Sequence, residues 1–312
     1  MIPLEKNYRL GLLLSLCSVL LWGFQPLALS SLVTKLLPAS IAFYKLSTAA
    51  LGFSLVILAK KPSSFSWNLK GHWLFLFLAG LGLSLSTTAF NTAYLYVSSS
   101  NTQIYFLLSR ILLALAGVFI FKERFSLFQW LGLIILVAGL GLFYREQLVI
   151  SGSEHYLLGV GLLVASAFAW AMFAIMQKSL LAFFPALQIL GLIYIVATIL
   201  FLPFAQLETL AGLSLREWIG LIFVCASNLL AFWFFTESMR HWEAAKLSAI
   251  SCLSPFVTIM AGFFMASIFG KPILAENLSI YSIMGAALVV GGAALVSFSS
   301  SPIKELARDA AQ

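Results

Sequence analysis

Apolar runs about twenty residues long recur along the whole chain and are separated by short polar stretches. A helix of that length is about 30 Å long, which matches the hydrocarbon thickness of a bilayer. The pattern predicts an all-α integral membrane protein with ten membrane-spanning helices and connections too short for a further domain. The predicted spans are residues 10–30, 39–59, 72–96, 101–121, 127–144, 156–177, 187–205, 218–239, 245–268 and 279–298.

The two halves of the chain repeat one another. The segment LLWGFQPLA holds Trp22, and FAWAMFAIM holds Trp170, at matching positions in the first span of each half. Near the end of each half, GLIILVAGLGL matches GAALVVGGAAL, each with a glycine at its first and eighth positions. The sequence therefore predicts two five-span repeats, residues 1–150 and 151–312. Because five is odd, the repeats are predicted to have opposite orientations, as in many secondary transporters.

Lysine and arginine are unevenly divided between the two sides predicted for the connections. Of the 18 such residues, the side of the N-terminus holds Lys6, Arg9, Lys60, Lys61, Lys70, Lys122, Arg124, Lys178, Arg240, Lys246, Lys304 and Arg308. The other side holds Lys35, Arg145, Arg216 and Lys271, and the remaining two, Lys45 and Arg110, lie inside spans. Cytoplasmic loops carry the excess of these residues, so both termini are predicted to be cytoplasmic.

Composition excludes several functional classes. Hydrophobic residues make up 62% of the chain and charged residues only 9%, whereas soluble domains average about 25% charged. The net charge of +7 is scattered over loops rather than gathered on one face, which argues against nucleic-acid binding. The three cysteines lie in apolar runs without metal-ligand spacing, and the three histidines fall at span ends or in loops. The sequence therefore predicts no metal, no cofactor and no catalytic cluster.

Three longer segments resemble parts of a known family. They are FKERFSLFQWLGLIILVAGL from Phe121, CLSPFVTIMAGF from Cys252 and FYKLSTAALGF from Phe43. With the ten spans and the tryptophan-centred repeats, the chain resembles EamA-type transporters of the drug/metabolite transporter superfamily. The third segment is similar to the second helix of its aromatic amino acid exporters. The resemblance implies alternating access through a central cavity lined by the first, third and fourth helices of each half.

The sequence departs from that family pattern in two places. The turn glutamate, Glu123, has no counterpart in the second half, where Gly270 and Lys271 follow Phe269. In the fourth span of the first half, Arg110 stands where Pro255 stands in the second half. The resemblance implies small metabolites as substrates, commonly amino acids or amphipathic drugs, and these departures bear on which one.

Two cations fall inside predicted spans. Arg110 lies roughly 13 Å into a hydrocarbon core of about 30 Å, since it follows Asn101 by nine residues. A charge at that depth costs at least about 2.5–3.5 kcal/mol on insertion scales. Arg110 is a candidate for binding a substrate carboxylate; the alternative is a structural arginine bonded to helix carbonyls or a glutamate. Lys45, six residues past Ala39 and nearer the outer face, can snorkel to the interface, and a direct role in binding is the alternative.

Two prolines predict irregular helices. Pro26 in span one leaves the Trp22 carbonyl without its helical donor, and Pro255 in span nine does so for Ser251. Carriers build binding sites and bend at such points, so both are candidates for gating or kinking. An ordinary tolerated kink is the alternative.

Polar and aromatic residues at matching depths complete the predicted cavity. The candidate substrate-binding residues are Trp22, Gln25, Asn91, Tyr94, Gln103, Arg110, Trp170, Asn228 and Ser254. For the two tryptophans, packing in the helix core is the alternative. Glycines seven residues apart in spans five and ten predict close helix packing rather than binding. No carboxylate other than Glu237, which Arg240 is placed to pair, lies within a span, and this favours facilitated movement or exchange.

These features predict a secondary transporter in the inner membrane that exports small organic metabolites such as amino acids or amphipathic compounds. Its predicted partners are a small-molecule substrate and the lipid bilayer, and a homodimer is left open. Uptake by the same fold is the first alternative. An integral-membrane lipid-modifying enzyme is the second, and it would need several polar catalytic groups near one interface.

Overall fold

Helices account for almost all of the described chain. The computed structural model describes residues 7–60, 69, 71–123, 125–151, 154–204, 210, 212–269 and 280–298. These residues form twelve α-helices, the short 3-10 helix Leu202–Phe204 and no strand. The α-helices are α1 (Tyr8–Leu32), α2 (Pro38–Lys60), α3 (Trp73–Ala93), α4 (Ser99–Tyr105), α5 (Leu107–Phe119), α6 (Leu127–Ser151), α7 (Glu154–Leu180), α8 (Ala186–Phe201), α9 (Leu215–His241), α10 (Ala244–Ser251), α11 (Ser254–Phe269) and α12 (Ile280–Phe298).

The helices have the length and composition of membrane spans. Within the described residues, eight helical segments are long and apolar enough to cross a membrane. They are Tyr8–Leu32, Pro38–Ala59, Trp73–Ala93, Asn101–Phe119, His155–Leu180, Ala186–Phe204, Leu215–His241 and Lys246–Phe264. Two shorter apolar segments, Leu127–Phe143 and Ile283–Gly292, coincide with predicted spans five and ten. The chain is therefore an integral membrane protein, and the full count of ten spans stays a prediction.

Two predicted spans are each divided into two helices. Span four changes from α4 to α5 at Phe106, where the backbone N–H of Ser109 (3.0 Å) and its hydroxyl (2.6 Å) both donate to the Phe106 carbonyl. That i to i+3 bond tightens the chain locally. Span nine is interrupted between α10 and α11, and Pro255 is the second residue of α11. Because the first turn of a helix needs no N–H from proline, Pro255 begins a helix here rather than kinking one.

Helices pack across the two halves. Among the described helices, α1 lies against α9, α3 against α7, α2 against α8 and α6 against α12. Each pair takes one helix from each half. Between the halves, α1 corresponds to α7, α2 to α8, α3 to α9 and α6 to α12. When each helix is replaced by its counterpart, the same four pairs result, which is the contact pattern of a pseudo-two-fold arrangement. The relative orientation of the whole repeats stays a prediction.

Glycines bring α6 and α12 into backbone contact. A Cβ at Gly139 would lie 2.7 Å from the Gly285 carbonyl oxygen, and one at Gly132 would lie 2.8 Å from that of Gly292. The close-packing prediction for these glycines is confirmed. Because the later glycine of α6 meets the earlier glycine of α12, the two helices run antiparallel.

One carboxylate joins the halves at the end of the molecule opposite the loop between α1 and α2. Glu123, in the turn between α5 and α6, forms an ion pair with Lys178 near the end of α7. It also accepts a hydrogen bond of 2.9 Å from the backbone N–H of Ala244, at the start of α10. A carboxylate stabilises this positive end of a helix. Glu123 therefore ties a turn of the first half to two helices of the second.

The loop predicted between spans five and six is shorter than expected. Its predicted range, 145–155, is largely helical, because α6 continues to Ser151 and α7 begins at Glu154. After Gly141, the sequence has no glycine or proline before Gly152 to end the helix. The predicted turn at 270–272 and the terminal segments 1–6 and 299–312 lie outside the described residues.

Candidate functional site

A cavity lies where helices of both halves meet. Part of it is open to solvent. Its lining residues are Trp22, Gln25, Lys45, Ser86, Thr87, Phe90, Gln103, Phe106, Arg110, Trp170, Asn228 and Phe232. They come from α1, α2, α3, α4, α5, α7, α9 and the Phe106 break. The lining departs from the family expectation, since α2 contributes to it and the described part of span nine does not.

Arg110 is held between two indole rings. Its guanidinium carbon lies 3.9 Å from the ring centroid of Trp170 and 4.5 Å from that of Trp22. The rings of Phe106 and Phe235 each lie 5.7 Å away. A desolvated cation–π contact contributes about 2 kcal/mol, so two of them offset the cost of about 2.5–3.5 kcal/mol for an arginine at mid-helix. The aromatic residues therefore allow a buried cation without a carboxylate partner.

One edge of the Arg110 guanidinium is left for a ligand. Its carbon lies over two indole rings whose planes are 80° apart, and its five N–H donors lie in its own plane. Arg110 is 4% exposed, and its Nη1 has no hydrogen-bond partner among the described residues. No ion pair to Arg110 is formed within the described chain. A planar carboxylate is the group that such an edge binds best.

Lys45 is the second cation of the cavity, and the expectation that it snorkels is wrong. The residue is 4% exposed, and its ammonium donates a hydrogen bond of 3.3 Å to Oε1 of Gln25. Gln25 in turn donates from Nε2 to the hydroxyl of Ser227 (3.1 Å) and to the carbonyl of Val224 (3.3 Å). These two bonds fix the amide so that its oxygen faces Lys45. The inward partner, rather than depth along the helix, decides where the lysine points.

Six predicted residues lie together in this cavity. They are Trp22, Gln25, Gln103, Arg110, Trp170 and Asn228. The Asn228 amide donates to the hydroxyl of Tyr194 at 3.2 Å, which orients it from outside the lining. Trp22 and Trp170 also belong to the main hydrophobic core, with their ring centroids 6.4 Å apart. The two tryptophans therefore both pack in the hydrophobic core and line the cavity.

Five other predicted residues do not line the cavity. Asn91 is buried and donates to the Pro38 carbonyl at 3.4 Å. Tyr94 packs against the ring of Phe90, 5.4 Å between centroids, in a separate hydrophobic cluster. Ser254 lies where α11 contacts α1, since a Cβ at Gly23 would come within 3.2 Å of its carbonyl oxygen. Pro255 lines a separate apolar pocket with Leu107, and Pro26 lies inside α1.

The contact of α1 with α11 includes a hydrogen bond beside Pro26. Pro26 lies inside a continuous α1, and Ser254 is the first residue of α11. Thr258 donates from its hydroxyl to the Gly23 carbonyl at 2.8 Å and to that of Ser254 at 3.1 Å. The Gly23 carbonyl follows that of Trp22, which Pro26 leaves without its helical donor, so the bond ties α11 to α1 next to the proline.

Sequence reasoning missed several lining residues. Ser86 and Thr87 belong to the hydroxyl-rich run SLSTT of span three, which could have identified them as polar residues inside a span. The Ser86 and Ser166 hydroxyls lie 3.1 Å apart and connect α3 to α7. Phe90, Phe106 and Phe232 carry no such signal among the 28 phenylalanines of the chain.

The lining has a single sign of charge. Lys45 and Arg110 are its charged members, and no aspartate or glutamate is among the lining residues within the described chain. The remaining members are amides, hydroxyls and aromatic rings. Such a surface is complementary to an anion with an apolar or aromatic body.

Comparison with known proteins identifies the family. The model of the EamA-like transporter family matches residues 9–145 and again residues 157–298. An uncharacterized inner membrane transporter of Escherichia coli strain K12, YhbE, is 31% identical over 295 residues, covering 93% of this chain and 92% of that protein. An uncharacterized transporter of Haemophilus influenzae is 29% identical over 297 residues, covering 94% and 96% of the two chains.

A protein of known crystal structure has the same fold. Its TM-score against this chain is 0.71, with 17% sequence identity and coverage of 95% of this chain and 100% of that one. At this identity the likeness shows the fold alone. The family and the relatives are transporters and not enzymes.

Proposed function

The chain belongs to the EamA-like transporter family, and from that premise we propose an inner-membrane exporter of small organic metabolites that carry a carboxylate. Amino acids are the class that the family resemblance favours, and amphipathic acids are the class that the cationic and aromatic lining favours. The single observation that carries the proposal is Arg110, a buried cation lying over two tryptophan rings with a donor, Nη1, that no described residue satisfies. The bound carboxylate meets this edge, while its apolar body lies against the aromatic lining.

Alternating access is the proposed mechanism, and three features support it. The family model matches the chain twice, the corresponding helices α6 and α12 are antiparallel, and both fourth spans are divided. The bonds of Glu123 to Lys178 and Ala244 join the halves at one end. A carrier that keeps one end joined while the other is open exposes its site to one side at a time.

Export is proposed over uptake on the resemblance of FYKLSTAALGF to amino acid exporters. The inner-membrane location is proposed from the E. coli relative, which is called an inner membrane transporter. Accumulation of labelled solute by inside-out vesicles, and its absence in right-side-out vesicles under the same gradient, is the expected result. Accumulation only in right-side-out vesicles would establish uptake instead.

The test of the site uses purified protein in proteoliposomes and a panel of carboxylates with their neutral amides. We expect Arg110→Lys to lower carboxylate flux at least about tenfold, because losing a bidentate bond costs roughly 1.4 kcal/mol or more. Arg110→Met is expected to remain folded, since its side chain fits between the indoles without a charge to desolvate, and to lose carboxylates while keeping neutral solutes.

The matched control is Arg240→Met, which removes an arginine that pairs with Glu237 at 3.0 Å outside the cavity lining. This variant is expected to transport carboxylates normally. Normal carboxylate flux through Arg110→Met would refute the anion site. Failure of Arg110→Met to fold would make Arg110 a structural anchor.

A further inference from the structure

The cavity has a second cationic position, and it narrows the substrate class. We propose that Lys45 binds a second acidic group, so that the protein transports dicarboxylic acids in preference to monocarboxylic acids of the same length. This inference rests on the proposed function, in which Arg110 binds the first carboxylate.

No carboxylate of the described cavity lining provides a counter-charge for the Lys45 ammonium. Its partner in the described chain is the neutral Oε1 of Gln25, at 3.3 Å. Gln25 cannot turn away, because Ser227 and Val224 hold its amide nitrogen. An ammonium has three donors, and Gln25 accepts from one of them. A substrate carboxylate in the cavity gives the Lys45 ammonium both a further hydrogen-bond acceptor and a negative charge.

The two cations contact the same helix. Arg110 lies over Trp22, and Lys45 bonds to Gln25, and these two partners are three residues apart in α1. The backbone positions of the two partners differ by about 4.5 Å along the helix axis. Two acidic groups joined by a short carbon chain can reach two cations that line one cavity. A single carboxylate held at the edge of Arg110 leaves Lys45 unpaired.

The rest of the lining favours a second acid over a second cation on the substrate. Lys45 and Arg110 are the charged lining residues of the described chain, and no carboxylate among them could receive a substrate ammonium. An ammonium placed next to Lys45 would be repelled, whereas an acidic group there is attracted, and both effects are strong in a low-dielectric site. Lys45 therefore acts as a specificity determinant at one end of the solute.

The test varies the ligand and residue 45 in turn and compares the resulting affinities, using the full-length protein in detergent. Binding of succinate and glutarate is compared with that of butanoate and pentanoate, by calorimetry and by thermal stabilisation. The wild type is expected to bind each dicarboxylate at least about tenfold tighter than its matched monocarboxylate. Lys45→Gln is expected to abolish this difference, because it weakens binding of the dicarboxylates more than binding of the monocarboxylates.

The matched control is Lys246→Gln, another buried lysine, which pairs with Glu243 at 3.3 Å outside the cavity lining. It is expected to keep the dicarboxylate preference. Glutarate monomethyl ester tests the wild type without any substitution, and it is expected to bind as weakly as pentanoate. This arm decides the matter if Lys45→Gln does not fold.

The outcomes separate this inference from the function on which it rests. Equal binding of both ligand classes by the wild type, with monocarboxylate binding still dependent on Arg110, overturns the role of Lys45 and leaves the carboxylate carrier intact. Dicarboxylate preference that survives in Lys45→Gln overturns it as well. If no carboxylate binds and Arg110→Met changes nothing, both proposals are wrong.

Discussion

At the scale of the residue, aromatic faces rather than counter-charges accommodate the buried arginine. A guanidinium is planar and less strongly hydrated than an ammonium, so it can lie between Trp22 and Trp170 at distances where cation–π attraction is large. Lys45 is a compact ammonium and instead requires an oxygen, which Gln25 supplies. The different chemistry of the two cations explains why one is stacked and the other is hydrogen-bonded.

A double-mutant cycle measures the stacking energy. Trp170→Leu and Arg110→Met are made singly and together, and the free energy of unfolding is measured in detergent with a mild denaturant. We expect a coupling energy of about 1–2 kcal/mol, because the arginine loses its ring in one single variant and the ring loses its cation in the other. In the control cycle, Trp233→Leu takes the place of Trp170→Leu. Trp233 is 38% exposed and stacks on Phe234. Additive effects at Trp170 would show that the contact contributes nothing.

At the scale of the element, hydropathy predicted the apolar helices but not their interruptions. Apolar run length reports which segment can lie in lipid, whereas a helix break depends on individual backbone hydrogen bonds. Residue type revealed one of the two interruptions, since span nine is divided next to Pro255. It did not reveal the other, because α1 continues through Pro26 while span four changes helix at Phe106 without a proline. The Ser109 hydroxyl that donates to the Phe106 carbonyl is a local competitor for the helical bond.

Sequence reasoning could predict those residues of the candidate site that carry a charge inside a span or that repeat between the two halves. Arg110 and the two tryptophans were found because an intramembrane cation is costly and because the tryptophans repeat between the halves. Lys45 was misplaced because depth along a helix does not tell which neighbour a side chain faces. Gln25 has its partners Val224 and Ser227 about 200 residues away in the chain, and no local pattern encodes such a contact.

Neighbouring glycines of α6 provide a matched test of helix packing. Gly139→Ala places a Cβ 2.7 Å from the Gly285 carbonyl oxygen and 2.9 Å from the Val289 backbone nitrogen, so the helices must separate. Gly141→Ala meets nothing within 4 Å. We expect the first to lower the free energy of unfolding by about 1–3 kcal/mol and the second to leave it unchanged or raise it by up to about 1 kcal/mol. Equal effects in thermal unfolding would contradict the close crossing.

At the scale of the whole molecule, the contacts between halves follow an exchange symmetry. The pairing of α1 with α9 corresponds to that of α7 with α3, while α2 with α8 and α6 with α12 correspond to themselves. The cavity lies among these pairs and takes residues from both halves. A shift of one half against the other therefore changes the cavity from both sides at once.

Reporter fusions test the predicted orientation of this assembly. Because lysine and arginine favour one side by twelve to four, tags at Met1 and Gln312 are expected to report the cytoplasm. An insertion between Ser151 and Glu154, where the structure narrows the loop, is expected to report the outside. An insertion within residues 61–68 serves as a cytoplasmic control. Termini on opposite sides of the membrane would contradict the two inverted repeats.

The indoles that hold Arg110 also give the cavity an optical signal of its own. The emission wavelength of tryptophan depends on the electric field across its ring, and the guanidinium imposes such a field on Trp22 and Trp170 at 4.5 and 3.9 Å. A negative solute at the guanidinium edge opposes that field at both rings. Among the 8 tryptophans of the chain, those outside the cavity, such as the exposed Trp233, provide a constant background. Binding of a solute at the site is therefore measurable as a shift in tryptophan emission wavelength in the unlabelled protein.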